Sequence, residues 1–290
     1  MDESFPPAAS PGLFAAHPRA FEQNRYVYPV LSRRSGGISI GVNLNLDKAC
    51  NFDCIYCQVD RSEKGSRERI DLDRLVQELD ATVDLVASGR IYDHPQFSQT
   101  PPALRRLNDV AFSGDGEPTT CRRFGDAVTA AAEVRRHRVD DAKLVLITNA
   151  STFHRPRVQR ALEILDANHG EIWAKLDAGT ESCYQLVART AVRFQRILDN
   201  LLLAARVRPI VIQSLFLRLR GEPPPPAEQE AYCQRLRELV SAGGRIKLVQ
   251  VHTIARTPVE TWVTPLSREE VESLAELVRQ RTGLTVAAYA

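Results

Sequence analysis

The sequence has 290 residues, 43% of them hydrophobic, and its 38 basic and 36 acidic side chains leave a formal net charge of +2. A chain of this size can bury one large core or two modest ones, and so small a net charge gives no reason to expect a polyanionic partner. No apolar stretch is long enough for a signal peptide or a bilayer crossing. We therefore expect a cytoplasmic protein that binds no membrane, in a reducing compartment where clustered cysteines more often bind metal or react than cross-link.

Residues 1–26 are rich in proline and alanine and lack apolar periodicity, which predicts a flexible N-terminal arm ahead of one domain at 27–290. In the domain, apolar strand-like segments alternate with amphipathic helix-like segments. The six predicted strand and helix pairs, in chain order, are 38–46 with 72–86, 108–113 with 122–136, 143–148 with 155–166, 171–176 with 191–206, 209–217 with 227–241, and 246–254 with 267–280.

Most of the predicted strands are rich in Val, Ile and Leu and are apolar on both faces, which is typical of parallel strands covered by helices. Capping residues precede two of the helices: Asp71 stands before the first, and Ser267 with Glu270 forms a capping box at the last. Six strand–helix units predict a parallel sheet with right-handed crossovers, either doubly wound or an incomplete (β/α) barrel. In both folds ligands bind at the carboxyl ends of the strands, so polar residues there are the site candidates.

Three of the six cysteines, Cys50, Cys54 and Cys57, follow the first predicted strand with the spacing C-x3-C-x2-C. Three thiols are one too many for a disulfide and one too few for an ordinary four-ligand zinc site. Thiolates bind zinc or iron–sulfur clusters, and a four-iron cubane held by three cysteines leaves one iron free for an outside ligand. The alternative is a zinc site completed by a distant residue such as Cys121 or His252. The paired C-x2-C or C-x2–4-H elements typical of zinc sites are incomplete here, which favours the cluster.

The second and third predicted strands end in polar segments. The second runs into "GDGEP" at 114–118, where glycine permits close backbone approach and the glutamate offers an acceptor for a cation. A solvated glycine-rich turn is the alternative interpretation. The third strand ends in Thr148 and Asn149, which are suited to bind a ribose or a carboxylate, or equally to begin an Asx-turn.

Polar side chains also interrupt the last three apolar strands. Lys175 and Asp177 lie on one face of the fourth strand, where they would bind a ligand, act on a substrate or pair with each other inside the barrel. Gln213 lies in the fifth strand, and Gln250 and His252 share a face of the sixth. His252 is a candidate proton donor or substrate contact, with a hydrogen-bonded core histidine as the alternative.

With Tyr56 as the aromatic residue, the pattern C-x3-C-x-aromatic-C resembles that of radical S-adenosylmethionine (SAM) enzymes. The similarity extends over residues 28 to about 260 and is to the group related to the wybutosine synthases, which modify tRNA. "SRR" at 32–34 and "RTP" at 256–258 belong to the shared segments but have no assigned role. The segments that carry the resemblance are "YPVLSRRSGGISIGVNLNLDKACNFDCIYCQ", "SGDGEPT", "LITNAS", "KLDAGT" and "VQVHTIARTP".

The resemblance implies an incomplete (β/α)6 TIM-like barrel and a [4Fe–4S] cluster on Cys50, Cys54 and Cys57. The amino and carboxylate groups of SAM would chelate the open iron, and one electron from a donor such as flavodoxin or ferredoxin would cleave SAM to methionine and a 5′-deoxyadenosyl radical. That radical would abstract hydrogen from an unidentified substrate, which is tRNA, a small molecule or a peptide. Lys175, Asp177 and His252 would be catalytic. The implied SAM-binding residues are Tyr56, Gly114, Asp115, Gly116, Glu117, Pro118, Thr148, Asn149, Lys175, Asp177 and Gln213.

The sequence also departs from this group. Asp115 replaces the first glycine of a Gly-Gly-Glu-Pro motif, and residues 1–49 lack the cysteines that hold a second cluster in wybutosine-forming enzymes. Cys121, Cys183 and Cys233 are too scattered for an auxiliary cluster, which indicates a one-cluster member. Cys121, at the start of a predicted helix, is a candidate hydrogen donor or extra ligand, or else an inert capping-region residue. The alternative function is a non-catalytic iron–sulfur sensor of redox state or iron, although a sensor would not need the SAM-binding segments.

Overall fold

The computed structural model describes residues 21–63, 65, 66, 68–139, 141–256 and 258–290. Within these residues the chain alternates strands and helices. The strands are β1 (Val27–Ser32), β2 (Gly37–Val42), β3 (Leu107–Phe112), β4 (Lys143–Thr148), β5 (Gly170–Lys175), β6 (Ile210–Leu215), β7 (Leu217–Leu219), β8 (Ile246–His252), β9 (Val263–Pro265) and β10 (Val286–Tyr289). The helices are α1 (Leu72–Ala87), α2 (Phe124–Arg138), α3 (Pro156–Asp166), α4 (Glu181–Ala188), α5 (Phe194–Val207), α6 (Pro226–Ser241) and α7 (Arg268–Thr282).

Eight of the strands form one curled sheet in the order β1-β2-β3-β4-β5-β6-β8-β10. The β1–β2 pair is antiparallel, and every later neighbouring pair of this sheet is parallel. The short strands β7 and β9 form a separate antiparallel pair. The result is a mostly parallel half-barrel, so the predicted incomplete TIM-like barrel is confirmed and the doubly wound alternative is not.

The six predicted strands correspond to β2, β3, β4, β5, β6 and β8, and the six predicted helices to α1, α2, α3, α5, α6 and α7. The Asp71 cap is present, since its side chain accepts from the backbone N–H of Arg74, and the Ser267–Glu270 capping box is complete. Three strand ends were placed at least two residues too late. Segment 43–46 leaves the sheet after Val42, segment 209–217 divides at Phe216 into β6 and β7, and β8 ends at His252 and not at residue 254.

Sequence patterns missed β1, β9, β10 and α4. β1 contains Pro29, which argues against a central strand and is tolerated because β1 lies at the edge of the sheet. β10 has four residues and α4 has eight, so neither is long enough for a clear period. The main sheet therefore has one antiparallel and one parallel edge strand beyond the six predicted ones.

The predicted flexible arm at 1–26 lies mostly outside the described residues, as does Thr257 of the "RTP" segment. The described part of the arm is packed, because Phe21 and Tyr26 are buried. The Glu78 carboxylate of α1 accepts from the backbone N–H groups of Arg25 at 2.9 Å and Tyr26 at 2.7 Å. Residues 21–26 thus lie against α1, and the domain boundary at residue 27 stays a prediction.

The two faces of the curled sheet differ because successive side chains of a strand point to opposite sides. On the convex face, the helices bury apolar residues such as Ile40, Phe112 and Leu146 in the main core. On the concave face, a smaller apolar cluster forms a floor, above which the strands end in polar residues. This floor consists of Ala111, Val145, Trp173 and Val211. Among the described residues, we find no helix with the length and apolar character that a membrane crossing requires.

Candidate functional site

The concave face of the half-barrel contains a cavity of about 290 Å³, close to the lower end of the range for small-molecule sites. Its lining comes from the inner faces of β1 to β6 and β8, from the β1–β2 turn, and from the loops after β2, β3 and β8. Of the predicted site residues, all but Pro118 line this cavity. Pro118 is buried in a short 3-10 turn, Pro118–Thr120. The predicted site residues that line the cavity are Cys50, Cys54, Tyr56, Cys57, Gly114, Asp115, Gly116, Glu117, Thr148, Asn149, Lys175, Asp177, Gln213 and His252.

The cysteine loop is held in place by α4 and the β7–β9 pair. The backbone N–H groups of Asp53 and Ile55 donate to the carbonyls of Ala188 and Val187 at the end of α4, at 3.1 Å and 3.0 Å. Ile55 is buried in an apolar cluster that also contains residues of β7 and β9. These contacts fix the loop, and its three cysteines are free thiols, each partly exposed.

The three thiols differ in their electrostatic surroundings. Burial raises the pKa of Cys54 to about 12 and also raises that of Cys50. At Cys57 burial acts in the same direction, but hydrogen bonds from the Arg61 side chain and from the backbone N–H of Val59 outweigh it and lower the pKa. Cys57 is therefore the thiol that most readily becomes a thiolate in the protein without metal.

Arg61 is a functional candidate that the sequence patterns missed. Its guanidinium donates to the Cys57 Sγ at 3.1 Å, to the Lys48 carbonyl at 3.1 Å and to the Asp115 carbonyl at 3.2 Å. It therefore ties the cysteine loop to the glycine-rich loop. A single arginine has no period or spacing that would mark it, and its position four residues after the last cysteine was its only signal.

The glycine-rich loop after β3 fits tightly against the cysteine loop. A Cβ added to Gly116 would lie 2.1 Å from the Ala49 carbonyl oxygen, and one added to Gly114, whose φ is +150°, would lie 2.5 Å from Asn43 Oδ1. Asp115, which departs from the expected glycine, donates its N–H to Asn43 Oδ1 and accepts from Asn43 Nδ2 at 2.7 Å. The loop thus requires glycine at 114 and 116 and accommodates aspartate at 115.

Glu117 is buried and its carboxylate joins the ends of β3 and β4. Oε1 accepts from the N–H and hydroxyl of Thr119 and from the Thr148 hydroxyl at 2.7 Å, and Oε2 accepts from the Asn149 N–H at 2.7 Å. If Glu117 binds a cation, as predicted, it does so with a carboxylate that already accepts four hydrogen bonds. The geometry shows a structural role for Glu117, and ligand binding by it remains a prediction.

Lys175 and Asp177 both lie beside Tyr56. Among the described residues, however, these two form no salt bridge with each other within 4.0 Å. Asp177 accepts from the Tyr56 hydroxyl and from the Leu215 N–H at 2.8 Å, and the Lys175 ammonium lies 5.4 Å from the centroid of the Tyr56 ring. Burial disfavours the charged amine, but attraction to Cys54, Asp177 and the other two cysteines in their ionised forms outweighs burial and raises the pKa of Lys175. Lys175 is thus a cation at the cysteine end of the cavity.

His252, at the end of β8, faces a second arginine that the sequence analysis left without a role. Arg34 Nη1 lies 3.5 Å from His252 Nε2, and His252 Nδ1 lies 3.4 Å from the Gln250 carbonyl. Burial, followed by the charge of Arg34, lowers the pKa of His252 well below its usual range. A neutral ring that donates from Nδ1 and accepts at Nε2 satisfies both contacts. In this geometry Nε2 carries no proton, so it does not act as a proton donor.

The zinc alternative finds no support in the part of the chain that the structure describes. It contains no group of three or more Cys, His, Asp or Glu side chains placed to hold a single metal ion. Cys121 is packed against the main core, and burial raises its pKa, which fits the inert alternative and not a thiolate at a helix start. Cys183 has a pKa raised to about 12 by burial, and Cys233 is fully buried.

Together the fold and the site define an α/β half-barrel with a polar, thiol-lined cavity on its concave face. Among solved structures, the chain is similar to TYW1 with a lysine-pyruvate adduct bound, with a TM-score of 0.54 and 14% identity over 87% of this chain and 76% of that chain. At this identity the likeness shows a common fold.

Sequence comparison with curated proteins gives distant relatives. The chain is 29% identical over 166 residues to a UPF0026 protein of Methanocaldococcus jannaschii, covering 56% of this chain and 43% of that protein. It is 24% identical over 185 residues to the GTPase Obg of Brachyspira hyodysenteriae, covering 62% of this chain and 23% of that protein. The chain thus spans less than half the length of these two relatives. No protein-family model matches the chain.

Proposed function

We propose that this protein is a radical SAM enzyme that holds a [4Fe–4S] cluster on Cys50, Cys54 and Cys57. The observation that carries the proposal is the shared cavity: the three cysteines face the same 290 Å³ space as nearly all the residues expected to bind SAM. These residues come from five separate segments of the sequence, and the half-barrel brings their strand ends to one place. A fold similar to that of TYW1 supports the same conclusion.

The donor set is compatible with an iron–sulfur cluster, since three free thiols line one cavity. A cluster is larger than a single ion, so its thiolate ligands stand farther apart, and three of them leave one metal position for an outside ligand. When bound, the cluster would supply one electron to SAM, from a donor of the flavodoxin or ferredoxin type, to give methionine and a 5′-deoxyadenosyl radical.

The chain's own residues would position SAM and shield the reaction. Gly114 and Gly116 let the glycine-rich loop pack closely against Asn43 and Ala49 at the edge of the cavity, and Lys175 places a positive charge where a carboxylate would be bound. Asp177 and Tyr56 are held by their mutual hydrogen bond, so both present fixed polar atoms to the cavity. The apolar floor beneath them limits water at the point where a radical would form.

The decisive experiment compares cluster assembly with SAM cleavage in one preparation. Protein reconstituted anaerobically with iron and sulfide should bind about four irons, and after dithionite reduction it should convert SAM to 5′-deoxyadenosine, measured by liquid chromatography and mass spectrometry. A sensor would assemble the cluster but neither bind nor cleave SAM, which would refute the enzyme proposal. Stoichiometric zinc that withstands air would refute the cluster as well.

A further inference from the structure

The half-barrel is open between its two edge strands, and the turn between β1 and β2 reaches across the opening. β1 and β10 are the outermost strands of the sheet. From the turn, Arg33 Nη1 donates to the Ala290 carbonyl just after β10, and Arg34 extends inward to His252 and to the Trp173 ring, whose centroid lies 5.9 Å away. The turn is fixed, since the Asn108 side chain donates to the Ser35 carbonyl.

Arg34 places a positive charge in the cavity without a carboxylate partner. Among the residues that the structure describes, no carboxylate lies within 4.0 Å of its guanidinium, and its hydrogen-bond contact is the long one to the neutral His252 ring. The carboxylate that attracts it electrostatically is Asp109, which is buried and accepts from the Ser39 hydroxyl. Burial, reinforced by the neighbouring charge of Arg33, lowers the pKa of Arg34 to about 10. Arg34 is only partly buried on the cavity wall, so an anionic ligand can reach it and supply a counter-charge.

Arg34 and Lys175 mark two different ends of the same cavity. Lys175 lies over the ring of Tyr56 in the cysteine loop, whereas Arg34, from the β1–β2 turn, contacts His252 and the ring of Trp173. Both cations line the cavity together with Trp173 and Gln213. A ligand at the cysteine end and an anion at Arg34 would therefore contact different side chains.

We propose that Arg34 binds an oxyanion of the substrate, either a carboxylate or a phosphate group, with His252 and Trp173 holding the guanidinium in position. The planar guanidinium offers five N–H donors in a fork that matches two oxygens of such a group, and the contact to His252 leaves most of them unused. That the oxyanion belongs to a substrate rests on the proposed function. The binding site itself does not, because Arg34 is held by contacts with His252 and Trp173 and not by the cysteines.

The test uses the full chain without metal, so that it is independent of cluster and SAM. Binding of inorganic phosphate and of acetate is measured by isothermal titration calorimetry at constant chloride-based ionic strength. We expect at least one anion to bind the unaltered protein, and Arg34→Gln to weaken that binding about tenfold or more, as befits a charge-assisted bidentate contact. Arg136→Gln, which removes an exposed arginine from the outer helix α2, is the matched control and should bind like the unaltered protein.

The outcomes separate the explanations. Tighter binding of phosphate than of acetate indicates a phosphorylated substrate, and the reverse indicates a carboxylate. Arg34→Lys retains the charge but not the fork and should fall between the unaltered protein and Arg34→Gln, which keeps the test valid if the glutamine variant is unstable. No anion binding by the unaltered protein, or equal binding by Arg34→Gln and Arg136→Gln, overturns the proposal. Neither result depends on SAM cleavage, so the proposed function stands or fails separately.

Discussion

The Arg61 guanidinium donates a hydrogen bond to the Cys57 Sγ at 3.1 Å while two of its other nitrogens bond the Lys48 and Asp115 carbonyls. One side chain therefore sets both the charge state of a cysteine and the spacing of the two loops that line the cavity. Neither function follows from the C-x3-C-x2-C spacing alone.

Arg61→Ala should make Cys57 a poorer thiolate. Burial opposes ionisation of Cys57 and the hydrogen bond from Arg61 overcomes it, so loss of the bond raises the pKa of this thiol. The variant loses one hydrogen bond to a charged group, a contact that contributes about 1.5–3 kcal/mol. Iodoacetamide labelling of the metal-free protein, followed by peptide mass spectrometry, should show the Cys57 rate profile displaced to higher pH. Arg61→Lys should retain part of the effect. An unchanged profile in Arg61→Ala would mean that the contact does not stabilise the thiolate.

Glu117→Gln should reduce stability as well as any SAM binding. The Glu117 carboxylate accepts four hydrogen bonds through its two oxygens. In glutamine one of these oxygens is replaced by an NH2 group, which cannot accept from the donors that face it. Leaving buried donors unpaired costs about 1–3 kcal/mol, which would lower the Tm by about 5 °C. Thermal denaturation followed by circular dichroism measures this, with the exposed Glu133→Gln on α2 as the control. If both variants melt at the same temperature, the carboxylate is not the structural link described here.

Gly116→Ala should separate the glycine-rich loop from the cysteine loop. The new Cβ would lie 2.1 Å from the Ala49 backbone oxygen, which cannot move without displacing Cys50. Overpacking of this kind costs about 1–3 kcal/mol, and we expect fewer irons per chain after reconstitution. Gly125→Ala in α2 is the control, because its Cβ would meet Ala161 at 3.9 Å, an ordinary contact. Equal iron content in the two variants would show that the cysteine loop tolerates the shift.

The parts of the fold and site that sequence patterns predicted are those encoded locally. Apolar strands and capped helices have periods that a short window reveals, and the topology of parallel strands then brings their polar carboxyl ends together. Arg34 and Arg61 were missed as site residues because their partners are remote in the sequence. Arg34 meets His252 across 218 positions and Arg61 meets Asp115 across 54. Which of several arginines turns into a cavity depends on the curvature of the sheet, and no local pattern records that.

The cysteines themselves provide the last prediction. Cys50, Cys54 and Cys57 line the cavity, so replacing any one of them with alanine should remove most of the iron from reconstituted protein. The other three thiols should behave differently.

Cys121, Cys183 and Cys233 pack against the main core, and burial raises the pKa of each, so they are poor thiolates and poor ligands. Their alanine variants should keep full iron content. Because Cys233 is fully buried, Cys233→Ala should lose the most stability of the three, with a loss of about 1 kcal/mol in the free energy of unfolding. Iron and acid-labile sulfide assays on all six variants, alongside melting curves, separate lost ligation from lost folding. Iron loss in a folded Cys121→Ala, Cys183→Ala or Cys233→Ala protein would identify a fourth protein ligand. A cluster closed by four cysteines has no position for SAM, and the proposed reaction would then be wrong.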